Sequence, residues 1–288
     1  MKPSRFVLHI PHTLREALEL IDALPNARLV AGGQSLMPML NMRLAAPDHL
    51  VDLNRIAALS AIREEPPDVV FGAMTRQRDV ELSPLVGERL PLLLEAIVNV
   101  GHRQTRNRGT IGGSLCHLDP SAELPAVAMA MDAMLTVTSK RATRTMSMAS
   151  FAKGLMTTAL ANDEVLVDVR LRPWAPGHGW CFVEFARRHG DFAIVAAAAM
   201  VELDRARRIT RISLTLGGVG PVPLRLLDAE KALLGGVGDD AALEIAGSHA
   251  GRCEAMSDPA YPSWYRQRLA QRLLLQAMRS ALRRARPR

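Results

Sequence analysis

Apolar positions along this chain recur with two periods, and the switches between them mark its elements. Phe6, Val7, Leu8 and Ile10 form an apolar run that predicts a first strand. Thr13 and Glu16, three residues apart, read as a capping box opening a helix over 14–24. Pro25-Asn26 turns the chain. Residues 27–31 then predict a short strand that delivers Gly32-Gly33, 35–43 a short helix, and 50–53 a returning strand. This β–α–β–loop–α–β unit reads as a small subdomain.

A second unit follows. Ala61-Ile62 and 69–73 predict strands around a polar turn, and Thr75 is placed to cap a helix through Leu82. Pro91 opens a helix over 92–100 with almost no polar face, so it is expected to be buried, and Gly101 stops it. Ser121 is set to cap a helix over 121–131. Residues 135–138 predict a strand by β-propensity, and 163–169 alternates apolar and acidic residues as a half-buried strand does. The Pro- and Gly-rich stretch from Arg172 to Gly179 marks a boundary. We therefore expect domains at 1–176, divided into subdomains of about 1–57 and 58–176, and at 177–288. In the last of these, 180–185, 194–203 and 211–216 predict a small antiparallel sheet, with helix a competing reading for the Ala-rich middle segment. Gly217-Gly218-Val219-Gly220-Pro221 reads as a tight turn. Helices are expected at 226–234, 240–250 and 262–285, ending in a basic tail, 283–288, that should be solvated and frayed. The class is α+β.

Composition narrows the function. The chain has 288 residues, 48% of them hydrophobic and 23% charged, an ordinary globular profile. No apolar run reaches the roughly 18 residues of a membrane span. The start, Met1-Lys2-Pro3-Ser4-Arg5, lacks the long apolar run of a signal peptide, so a cytoplasmic location is expected. Net charge is +7, and only four of the 36 basic residues are lysines. The arginines are scattered, and aromatics make up only 4%, too few for base-stacking platforms, which argues against nucleic acid. A solvated Arg-rich surface is the plainer reading, with acidic partner subunits an alternative use for basic faces. Cys116, Cys181 and Cys253 are far apart, with no Cys-x-x-Cys, and the eight histidines lack metal-ligand spacing, so no metal or iron–sulfur site is expected in this chain.

The candidate chemistry lies in two glycine segments. One is Ala31-Gly32-Gly33-Gln34-Ser35-Leu36; the other is Arg106-Asn107-Arg108-Gly109-Thr110-Ile111-Gly112-Gly113-Ser114, leading to Asp119-Pro120-Ser121-Ala122-Glu123-Leu124-Pro125. Glycine pairs let backbone approach a ligand without Cβ interference, and exposed N–H groups in such turns bind anions. Either segment alone reads as a hairpin or a strand–helix connection, the usual use of a glycine pair. Two of them with matching hydroxyls suggest two linked phosphates, hence a dinucleotide. There is no Gly-x-Gly-x-x-Gly fingerprint, P-loop or nucleophile elbow, so a dinucleotide here would need another fold.

These segments, in this order, resemble the FAD-binding motifs of the medium subunits of molybdenum hydroxylases, the group that includes the flavoprotein subunit of aerobic carbon monoxide dehydrogenase and the FAD module of xanthine dehydrogenase. The likeness extends through Arg187-Arg188-His189-Gly190-Asp191-Phe192-Ala193 and Leu216-Gly217-Gly218-Val219-Gly220-Pro221 to the helix around Tyr265-Arg266. It implies a vanillyl-alcohol-oxidase-type (PCMH-type) FAD-binding domain of two subdomains, followed by the flavoprotein C-terminal domain. It implies FAD, with Leu29, Val30, Ala31, Gly32, Gly33, Gln34, Ser35 and Leu36, together with Thr110, Ile111, Gly112, Gly113 and Ser114, around the pyrophosphate and ribityl chain and Arg106 among the cofactor-binding residues; non-covalent attachment is expected, since neither glycine motif contains a histidine or cysteine. Asp119 or Glu123 would meet polar groups of the cofactor, with helix capping the alternative for Glu123; Leu166 would meet a ring or serve as plain core. No residue reads as a general base or nucleophile. Partner chains would supply the rest: a small subunit with two [2Fe-2S] clusters and a large subunit with the molybdenum cofactor, assembled as a dimer of heterotrimers that passes electrons to an external acceptor. Many relatives carry a lysine in the strand before the Arg-Arg-x-Gly-Asp segment, where this chain has Phe182-Val183-Glu184-Phe185, and this departure leaves the acceptor open. A stand-alone flavin oxidoreductase of the same fold and a non-catalytic basic scaffold are the competing readings.

Overall fold

The computed structural model describes residues 2–288. In chain order the first elements are β1 (Val7–His9), α1 (Leu14–Ala23), β2 (Ala27–Val30), α2 (Leu36–Asn41) and β3 (His49–Asp52). The strands form a parallel sheet in the order β1-β3-β2. Thr13 caps α1 by accepting from the Glu16 N–H, and Glu16 reaches back to the His12 N–H, so the capping box forms as the spacing predicts. Leu18, Ile21 and Ala17 of α1 close one side of this sheet.

The second unit contains β4 (Ile62–Glu65), β5 (Asp68–Gly72), α3 (Gln77–Leu82), α4 (Pro84–Arg89), α5 (Pro91–Ile97), α6 (Arg103–Arg108), α7 (Ile111–His117), α8 (Glu123–Ala130), β6 (Met134–Thr138), β7 (Thr143–Ser147), α9 (Met148–Phe151), β8 (Ala152–Gly154), β9 (Thr157–Thr158) and β10 (Val165–Leu171). An antiparallel sheet runs β4-β5-β10-β6-β7. Two expected caps do not form. Thr75 is buried and its hydroxyl donates to the Ala61 carbonyl, while α3 begins at Gln77. Ser121 sits in a turn in which its N–H donates to Asp119, so α8 starts two residues later without a side-chain cap. The strand β7 gave no sequence signal because Thr143, Arg144 and Thr145 are exposed at the sheet edge, where alternation has nothing to bury.

The third unit comprises β11 (Gly179–Phe185), β12 (Val195–Leu203), β13 (Ile209–Gly217), β14 (Leu224–Arg225), α10 (Leu227–Leu233), α11 (Asp240–Gly251) and α12 (Ser263–Arg284). Its strands form one antiparallel sheet in chain order. The Ala-rich segment is the strand β12, buried on both faces. Ala196, Ala198 and Met200 join the core of the second unit, whereas Val195, Ala197 and Ala199 face the core under α12. A strand covered on both faces shows no alternation, which is why helix competed in the sequence.

The basic tail is docked. Ala285 is buried, the Arg286 N–H donates to Gly177 and the Arg288 N–H to Leu203. Arg284 clasps Glu95 of α5 at 2.8 and 3.0 Å and donates to the Trp180 carbonyl. This ion pair ties the last helix to the second unit. Because both side chains are partly solvated, Arg284→Ala is expected to cost about 1 kcal/mol, read as a lowered Tm in a thermal melt.

Candidate functional site

The two glycine segments meet. A Cβ at Gly32 would lie against the Arg108 carbonyl oxygen and 2.8 Å from the Gly109 Cα, so the loops pass each other at a distance only glycine allows. Gly33 has φ +73°, the left-handed region, which turns the chain after β2 toward α2. The N–H groups of Gly33, Gln34 and Ser35 have no backbone partner within the described residues, and such successive free donors make an anion-binding concavity.

A polar brace holds this crossing. Asp52 accepts from the Asn54 N–H, Asn54 donates to the Ala31 carbonyl at 2.9 Å, and Arg76 reaches both Asn54 and the Arg108 carbonyl. Burial lowers the Arg76 pKa, with the Arg108 charge adding to the effect. Asn54 and Arg76 gave no signal in the sequence, since neither sits in a glycine motif nor in a recognisable spacing.

The second segment is built differently from the first. Gly112-Gly113 is not a free turn; it forms the first turn of α7, capped by Thr110, whose hydroxyl accepts from the Gly113 N–H at 3.0 Å. Ile111 and Gly112 donate their N–H groups to the Thr75 and Ala73 carbonyls just after β5. Gly112 is therefore a packing glycine, with Ala73 2.6 Å from where its Cβ would be. What this segment presents is the hydroxyls of Thr110 and Ser114 and a surface free of bulk.

Both segments line one cleft of about 1170 Å³ that runs between the units. Of the residues expected from sequence, Leu29, Ala31, Gly32, Gly33, Gln34, Ser35, Leu36, Thr110, Gly112, Gly113, Ser114, Asp119, Glu123 and Leu166 line it. Val30, Arg106 and Ile111 do not. Ile111 is core, 4% exposed. Arg106 is turned away from the cleft: its guanidinium pairs with Glu81 at 2.8 Å and donates to the carbonyls of Val98, Val100 and Gly101, so it serves the α5–α6 connection. An arginine next to a phosphate-type loop reads as an anion ligand in sequence, and only the fold reveals that four acceptors already hold it.

The cleft walls add groups the motifs did not supply. Gly190, Asp191 and Phe192 close it from the third unit, and Phe192 is 60% exposed. Cys116 also lines the cleft, and burial pushes its thiol up to about 12, which makes it inert as a nucleophile at neutral pH. The His117 imidazole is held below its usual pKa by burial. Glu123 is 3% exposed and burial raises its carboxyl to about 8. The arrangement suits holding a long dinucleotide: free N–H groups and hydroxyls for anionic oxygens, glycine surfaces for close approach, and Leu166, 3% exposed, as an apolar contact.

Residues 4–174 match the family described as the FAD binding domain in molybdopterin dehydrogenase, and residues 180–281 the CO dehydrogenase flavoprotein C-terminal domain. The chain is 37% identical to the carbon monoxide dehydrogenase medium chain of Hydrogenophaga pseudoflava, with 98% of each chain covered. It is 32% identical to the glyceraldehyde dehydrogenase medium chain of Sulfolobus acidocaldarius, covering 97% of this chain and 99% of the other. The solved structure of carbon monoxide dehydrogenase from Hydrogenophaga pseudoflava that lacks the Mo-pyranopterin moiety superposes with a TM-score of 0.96 at 37% identity, covering 99% of this chain and 100% of the other. No helix among the described residues is long and apolar enough to cross a membrane.

Proposed function

This chain belongs to the FAD-binding medium subunits of molybdenum hydroxylases, and from that premise we propose that it carries electrons from iron–sulfur clusters on a small partner subunit, through FAD in the cleft described above, to an external acceptor. A large partner subunit holds the molybdenum cofactor and the oxidisable substrate, and the complex assembles as a dimer of heterotrimers in the cytoplasm. The observation that carries the reading is the convergence of two glycine segments, far apart in sequence, on one cleft of about 1170 Å³, roomy enough for a dinucleotide.

The flavin supplies the redox chemistry when bound; the protein's contribution is binding, orientation and shielding. The free N–H groups of 33–35 and the Ser114 hydroxyl are placed to take pyrophosphate oxygens. Asp119 or Glu123, both in the cleft wall, meets polar groups of the cofactor, and Leu166 packs against a ring. Attachment is non-covalent, because neither glycine segment contains a histidine or cysteine. With a net charge of +7, docking to the partners has an electrostatic part that salt weakens.

Two measurements test this. Purified chain should be yellow, and acid should release FAD; release of FMN, or a colourless protein that FAD cannot reconstitute, overturns the cofactor reading. Under anaerobic conditions the flavin should stay oxidised when the large subunit's substrate is added to this chain alone, and bleach once both partners are present. Bleaching by the chain alone, unaffected by partners, would mean that it holds its own substrate site.

A further inference from the structure

Two carboxyl groups without a paired cation lie at the seam between the second and third units, Glu123 buried and Glu184 half-buried. Glu123 is the first residue of α8, 3% exposed, and lines the cleft. Glu184 lies on β11 two residues after Phe182, on the same sheet face, and Phe182 packs into the core shared with α8. The register sets Glu184 on the strand beside those that pack on α8, facing the same seam. It stands opposite Ala196, which stands opposite Gly217. A Cβ on Gly217 would lie 3.4 Å from Ala126 of α8, and the Gly218 N–H donates to Pro120 just ahead of that helix at 2.8 Å. The Oε2 atom of Glu184 is enclosed and has no hydrogen-bond partner.

The neighbouring charges do not neutralise the pair. Arg106 on α6 is held by Glu81, and Arg284 on α12 by Glu95 of α5. Asp119, ahead of α8, adds a further negative charge, and His117 at the end of α7 has its basicity lowered by burial. Lost hydration destabilises the charged form of both carboxyls, and the Glu184 charge adds to the effect on Glu123.

We propose that Glu123 and Glu184 act as one proton-holding pair in the cleft wall, so that Glu123 meets the cofactor as a carboxylic acid that donates a hydrogen bond. This rests on the reading that the cleft takes FAD. A carboxylate could only accept, and its charge would oppose the pyrophosphate in the same cleft; the neutral acid removes that repulsion and gains a donor. Burial pushes Glu123 up to about 8, with the Glu184 and Asp119 charges adding and Arg106 opposing, and pushes Glu184 up to about 7. The two groups interact, so the titration steps belong to the pair.

The test uses full chain labelled with 13C at the glutamate carboxyl carbons, titrated by NMR, with Glu123→Gln and Glu184→Gln assigning the two signals. Midpoints near 7 and 8 are expected, and Glu184→Gln should lower the Glu123 midpoint because a like charge is gone. Both signals titrating near the ordinary carboxyl value of about 4.3 would overturn the proposal. FAD affinity, measured by flavin fluorescence, should fall up to tenfold per pH unit above the upper midpoint in the wild type. It should stay flat in Glu123→Gln, whose amide remains a donor. Affinity that is flat in the wild type also overturns it. Failure to bind FAD at any pH would sink the cofactor reading, while the NMR titration would still decide whether the pair holds a proton.

Discussion

Gly32→Val is expected to give a protein that cannot hold flavin. The added Cβ would press on the Arg108 carbonyl oxygen and the Gly109 Cα, both backbone atoms that cannot swing aside. Arg108 is further fixed by Arg76, and Ala31 by Asn54, so the two loops can part only by breaking that brace. Overpacking of this kind costs about 1–3 kcal/mol, and here the strain falls on the anion-binding loop itself. Flavin occupancy after gel filtration, measured by absorbance, should drop to near zero while far-ultraviolet circular dichroism changes little. Gly113→Val should be milder, because its nearest obstacles are the Thr110 hydroxyl at 2.8 Å and the Ala31 methyl at 3.5 Å, both side-chain atoms. Gly154→Ala is the control, since nothing lies within 4 Å of its Cβ position. Full flavin occupancy in Gly32→Val would reduce the crossing to an ordinary connector.

The contrast between these glycines also shows how far the site could be read from sequence. Two glycine pairs with following hydroxyls were enough to locate the cleft, because close backbone approach leaves its mark in residue type. Their different jobs were not legible: Gly33 turns the chain, Gly32 admits the other loop, and Gly112 packs against Ala73. Those roles depend on what lies opposite in space. For the same reason Asn54 and Arg76, each one hydrogen bond from a glycine loop, escaped notice. Long amphipathic or alternating segments such as α1, β10 and α12 were readable, since their periods reflect one buried face. The strand β12, buried on both faces, and β7, exposed at an edge, carry no such period. The tail at 283–288 looked solvated because its arginines are charged, yet Glu95 and backbone carbonyls from distant segments receive it.

Arg106→Met is expected to damage stability far more than cofactor binding. The guanidinium and Glu81 are 9% and 14% exposed, so removing one partner strands the other charge in a mostly buried site and leaves the carbonyls of Val98, Val100 and Gly101 with one donor fewer. Breaking a buried pair in this way costs about 3–5 kcal/mol; Arg78, at 2.8 Å from Glu81, should hold the loss toward the lower end. The pH dependence follows from the sign of the shift. Hydrogen bonding from Arg106 holds the Glu81 carboxyl below its ordinary value, so this pair stabilises the fold above the unfolded carboxyl pKa and loses that contribution as pH falls through the folded one. Wild type and Arg106→Met should therefore differ most near neutral pH and converge in acid, measured by urea unfolding across that range. Flavin affinity of the folded fraction should change less than tenfold, because the side chain does not reach the cleft. A variant of wild-type stability that has lost its flavin would instead return Arg106 to the cofactor's shell.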